Sequence, residues 1–140
     1  MEVAVRSQIE RFQEVAKHLP QTEMPVIHSL VNGMYAREIF IPRGTVFVGK
    51  AHKTDHFFIV LEGETMMTTD DGVKSAHQGE VFIVKAGSKR MGITHTDCRF
   101  ITFHRTDQTE LKAIVNDLVE FDPNGRYDEA GQVIELREPL

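Results

Sequence analysis

The chain has 140 residues, 41% apolar and 26% charged, the balance of one globular domain rather than a disordered chain. Its net charge of −5 sits in residues 110–140, where eight acids outnumber three bases, while residues 1–109 carry thirteen of each; this excludes a basic footprint for duplex nucleic acid as a partner. One cysteine, Cys98, excludes a disulfide framework and a Cys-based zinc module. No apolar run approaches the ~20 residues of a membrane span, and the charged start lacks a secretion signal's apolar run, so a cytoplasmic protein with no membrane partner is expected.

Residues 5–19 place Ile9, Phe12, Val15, Ala16 and Leu19 at helical spacing, with Pro20 as a stop. From Val26 to His104 the pattern changes to short runs rich in Val, Ile, Phe and Thr. Strands are predicted at 26–31, 34–41, 45–50, 57–62, 64–69, 73–76, 80–85, 90–94 and 99–104. Asp70-Asp71-Gly72 reads as a hairpin turn and Thr96-Asp97 as another. Glu110–Phe121 then puts Leu111, Ile114, Val115, Leu118 and Val119 on one helical stripe, with Thr109 as its cap. Val133–Leu136 offers an edge strand. The predicted organisation is an N-terminal helix and lead-in (1–25), a β-barrel (26–106) and a C-terminal helix with an acidic tail (107–140), in one domain overall.

The glycine spacing carries the strongest signal. Gly44 is followed by five residues, Lys50, one residue, His52, three residues, His56, six residues and Gly63. Gly79 is followed by five residues, Lys85, one residue, Gly87, two residues, Arg90, three residues and Thr94. Over residues 40–104 this spacing resembles the two motifs of the cupin superfamily, and Phe58–Glu64 resembles that family's common "YVLEGE" strand. The resemblance implies a mainly β fold: a single-domain, cupin-like jelly-roll β-sandwich or barrel with flanking N- and C-terminal helices. Many cupins pair through exposed sheet edges, so a homodimer is expected. The block from Gly49 to His104, with Gly87-Ser88-Lys89-Arg90, is also similar to small cupins found in tailed-phage genomes. That resemblance implies a phage source and residence in the host cytoplasm or in the virion.

The family positions that bind a divalent metal are His, His, Glu and His; here they are Lys50, His52, His56 and Arg90. Imidazoles are metal ligands, a guanidinium is not, and lysine rarely is. Lys50 and His52, two apart, share a strand face. After a short turn His56 opens the next strand toward the same cavity, and Arg90 enters from another wall. A strand at 99–103 pairing with Met91–Thr94 would bring His104 beside Arg90, facing in or out according to register. His52, His56 and His104 then form a candidate divalent-metal site; His52 and His56 also read simply as half-buried, hydrogen-bonded histidines, and His104 as a strand-end residue near solvent. Lys50, His52, His56 and Arg90, with Lys89 as a further cation, form a candidate pocket for an anion such as a phosphate or a nucleotide.

Three functions follow as expectations. The first is a small-molecule-binding cupin with a divalent metal as cofactor, whose open positions would serve oxygenase, isomerase or hydrolytic chemistry alike. The second is a metal-free basic pocket for an anionic ligand, suited to countering a host nucleotide signal. The third is a virion structural or assembly protein.

Overall fold

The computed structural model describes residues 2–134, with side chains from Arg6 onward. A helix, α1 (Glu2–Ala16), precedes nine strands: β1 (Val26–Val31), β2 (Met34–Ile41), β3 (Val46–Val48), β4 (His56–Glu62), β5 (Glu64–Thr69), β6 (Gly72–His77), β7 (Val81–Val84), β8 (Met91–Thr94) and β9 (Cys98–Arg105). A second helix, α2 (Leu111–Leu118), follows. The strands form two antiparallel sheets, ordered β1-β2-β9-β4-β7 and β3-β8-β5-β6. Together they make the mainly β sandwich with flanking helices that the sequence implies.

Alternation builds the interior. In β4, His56 and Val60 are buried while Phe57 and Leu61 are exposed; in β9, Cys98, Phe100 and His104 are buried. Ile41, Phe47, Val60, Met67, Cys98 and Phe100 fill the space between the sheets. Their burial is the main favourable term holding the layers together. The β1–β2 hairpin closes on Asn32-Gly33, with φ 47° and 80°, the left-handed pair that matches strand twist.

Four local expectations are corrected. Thr96-Asp97 is not a hairpin turn: β8 pairs with β3 and β5, and β9 pairs with β2 and β4. The segment instead carries the chain from one sheet to the other. It packs on Gly63, whose φ is +92° and where a Cβ would lie 2.3 Å from the Asp97 carbonyl oxygen. Thr109 does not cap α2; Glu110 is the N-cap, with no side-chain cap bond. The strand predicted at 45–50 stops at Val48. Beyond it, the Lys53 amide donates to the Leu118 carbonyl and the Glu120 amide to the Ala51 carbonyl. This pairing also ends α2 at Leu118 rather than near 121, since Val119 turns extended.

The α1 helix begins earlier than the sequence suggests; among its described side chains it buries Ile9 and Gln13, while Phe12 and Val15, and Leu19 just beyond it, are exposed. Polar contacts dock it: Arg6 donates to the Gly87 carbonyl at 2.8 Å and pairs with Glu120 at 3.0 Å. Val133 forms a lone bridge with Tyr127 and Ile134 is not in a strand, while residues 135 and 136 of the edge strand proposed at 133–136 lie outside the described residues.

Candidate metal centre

A cavity of about 180 Å³ opens between the sheets. That is below the roughly 300–1,000 Å³ of drug-sized sites, so it suits a small ligand. His52, His56, Arg90 and His104 all line it.

Each histidine arrives by a different route. His56 is the first residue of β4, and its parity with Val60 turns it inward. His104 lies in β9 opposite Tyr35 of β2, whose ring sits 5.7 Å away. It does not pair with β8 as the sequence suggested, and what it shares with Arg90 is the lining of one cavity, not a ladder. His52 is not on a strand. A single bridge to Val119, beside the Ala51–Glu120 and Lys53–Leu118 bonds, holds it in place. The exit of α2 thus fixes one corner of the site, and Val115, Leu118 and Val119 line the cavity.

The three rings converge. Centroid separations are 4.4 Å for His52–His56, 4.5 Å for His56–His104 and 5.0 Å for His52–His104. One nitrogen from each lies within 4.8 Å of the others, near enough for small side-chain rotations to bring all three onto one ion.

The hydrogen bonds sort the nitrogens. His52 Nδ1 meets the Lys50 carbonyl at 3.1 Å, and His56 Nδ1 meets the Thr54 carbonyl at 3.2 Å. A carbonyl only accepts, so each Nδ1 carries the proton and each Nε2 keeps its lone pair. His104 Nε2 contacts Thr102 Oγ1 at 2.8 Å, while its buried Nδ1 has no partner. His52 and His56 therefore each keep an Nε2 lone pair while oriented through Nδ1, as metal-bound histidines usually are, and His104 offers its Nδ1 in the same way when its Nε2–H donates to Thr102.

Burial reinforces this. It lowers His52 to about 3, helped by His56, His104 and Arg37 nearby. It likewise lowers His104 to about 3, with His56 and Arg37 adding to the effect. His56 is lowered by burial against the raising effect of the Thr54 carbonyl, with Arg90 lowering it further. All three are neutral at pH 7, the form a metal binds. The residues present fit a divalent ion held by three imidazoles, with positions left for water or ligand.

Lys50 and Arg90 line the same cavity as His52 and His56. Lys50 is exposed at the cavity's edge. Arg90 spends its terminal nitrogens on the Thr68 carbonyl (3.1 Å) and Asp70 (3.4 Å), leaving Nε buried and unpartnered. The expectation for Lys89 is corrected: it is buried and paired with Asp122 at 3.0 Å, because Asp122 also accepts from Gln13 at 2.9 Å and ties α1 to this corner.

Sequence reading missed Arg37, Ser88 and Thr102, which all line the cavity. Arg37 had a legible signal. It shares strand parity with Tyr35, Ile39 and Ile41, a charge in the apolar phase of an alternating strand.

No protein-family model and no curated protein sequence matches the chain. Solved structures do. The cupin_2 domain of an XRE-family transcriptional regulator from Enterobacter cloacae aligns with TM-score 0.52 and 12% identity, over 62% of this chain and 100% of that one. The Cnp3 cupin domain of Schizosaccharomyces pombe aligns with TM-score 0.51 and 21% identity, over 62% and 67%. A putative ethanolamine utilization protein Q from Salmonella typhimurium aligns with TM-score 0.50 and 20% identity, over 61% and 71%. At these identities the likeness concerns architecture, and it agrees with the two sheets and the central cavity: the chain has the cupin fold.

Proposed function

We propose that this protein binds one divalent metal through His52, His56 and His104 and presents it to a small molecule in the cavity. The observation that carries the reading is the set of three neutral imidazoles that bring one ring nitrogen each within 4.8 Å of the others, while Lys50, Thr54 and Thr102 orient the rings. Such an ion supplies Lewis acidity and a polarised water. The protein contributes the apolar walls, formed among others by Phe47, Met67 and Phe100, that keep bulk water from it.

The test is elemental analysis after dialysis against each of manganese, iron, cobalt, nickel and zinc. The wild type is expected to retain about one ion per chain. His52→Ala, His56→Ala and His104→Ala are each expected to lose affinity by about tenfold or more. Unchanged metal content in all three variants overturns the reading.

The phage source, the host-cytoplasm or virion location and the homodimer belong to the same proposal. The dimer draws support from the outer face of the larger sheet, where Phe57 pairs with Phe103 and with Ile83 and all three are exposed. Contiguous exposed apolar groups of this kind mark interaction surfaces. Phe57→Glu is expected to yield monomer by native mass spectrometry; a monomeric wild type contradicts the dimer.

A further inference from the structure

Among the described residues, four buried side-chain polar atoms lack a hydrogen-bond partner, and three of them, Ser88 Oγ, Arg90 Nε and His104 Nδ1, belong to residues lining this one cavity. Such atoms are costly while unpaired, because they have given up water without gaining a partner. Their gathering at one place marks a surface shaped for a polar group that the chain itself does not supply. His104 Nδ1 is accounted for by the metal. Ser88 and Arg90 are not.

Arg37 adds a full charge. It projects from β2 into the cavity beside Thr102, its register partner on β9, and next to the histidine cluster. Among the described residues it makes no hydrogen bond and no ion pair, whereas Arg6, Arg90, Arg99 and Arg105 all have acidic partners. Burial holds its guanidinium below the ordinary arginine range. Among the described residues two acids line the cavity, Asp128 and Glu129, and neither is paired with Arg37. Asp128 accepts from the Ala130 and Gln132 amides, and Glu129 is exposed. A half-buried guanidinium with no partner among the described residues is a ready counter-charge for an anion entering the cavity.

We infer that the cavity takes a small carboxylate, with Arg37 as the principal counter-charge to the carboxylate and Ser88 and Arg90 Nε as additional donors. The planar fork of Arg37 suits bidentate carboxylate binding. The remaining wall, including Met24, Ile41, Phe47, Met67 and Phe100, suits an apolar body. This favours a monocarboxylate with a short hydrocarbon part over inorganic phosphate, whose higher charge and hydration find no match on those walls. The inference rests on the cavity being a ligand site, as proposed above, but not on the metal being present.

The probes are butyrate, hexanoate and benzoate, each against its uncharged amide, with inorganic phosphate as a separate arm. Binding is measured by calorimetry on both zinc-loaded and EDTA-treated protein. Wild type is expected to bind each acid about tenfold or more tighter than its amide. In Arg37→Met that ratio should fall to about twofold or less. Arg37→Lys keeps the charge without the fork and should fall in between. Far-UV circular dichroism establishes that each variant is folded, and the wild-type comparison of acid with amide needs no variant. If the wild type binds acids no better than amides, prefers phosphate, or keeps its acid preference in Arg37→Met, the inference is overturned. An Arg37-dependent preference in EDTA-treated protein upholds it even where zinc does not bind, so its failure and that of the metal site are read separately.

Discussion

Acidifying the metal-free protein should destabilise it through the histidine cluster. His52 and His104 are lowered by burial to about 3, against about 6.5 in an unfolded chain. Between those values the unfolded chain binds more protons than the folded one. Stability is therefore intact above about pH 6.5 and is lost as pH falls toward 3. From pH 7 to 4.5 one such group removes about 2.5 kcal/mol, and two acting independently about 5 kcal/mol. The rings lie 5.0 Å apart and share His56 as a neighbour, so the expected loss is about 2–5 kcal/mol, a large part of a typical domain's stability. The assay is guanidinium unfolding of EDTA-treated protein at pH 7, 5.5 and 4.5. A His52→Gln/His56→Gln/His104→Gln variant sets the background from carboxylates. A flat profile over this range, or the same loss in the triple variant, refutes the reasoning.

Other expectations follow from single contacts. Lys89 and Asp122 form a buried pair at 3.0 Å, so Lys89→Met should cost about 3–5 kcal/mol by leaving Asp122 uncompensated, whereas Lys89→Met/Asp122→Leu should recover much of that loss; thermal melts of the two variants check this. Gly63→Ala forces a Cβ to within 2.3 Å of the Asp97 carbonyl oxygen at φ +92° and should destabilise by more than about 1 kcal/mol in chemical denaturation. Cys98 is fully buried and its thiol is raised by burial, so native protein should react slowly with a thiol reagent and unfolded protein rapidly.

The fold was largely legible because its signals are local. Alternation in segments such as His56–Glu62 and turn residues such as Asp70-Asp71-Gly72, which close the β5–β6 hairpin, act over a few positions, and nine strands appear close to their predicted places. The site was legible in part. His56 follows from strand parity, but His52 depends on a bridge to Val119, a partner 67 positions away that no periodicity encodes. The inward face of His104 is set by β9 lying between β2 and β4, whereas the sequence suggested β8 as its neighbour. Lys89 looked like a free cation because its partner Asp122 lies in the distant acidic tail. The stripe on α1 looked like core, yet that helix is docked through Arg6 and Gln13. Pairings between remote segments are what a local pattern omits.

The central claim is that His52, His56 and His104 hold one metal ion, and the most direct measurement is a zinc-edge anomalous difference map from crystals grown with zinc. The account expects its strongest peak inside the sandwich, about 2.0–2.1 Å from His52 Nε2, His56 Nε2 and His104 Nδ1. A map with no peak among these three rings, in crystals that bind zinc elsewhere, would contradict it.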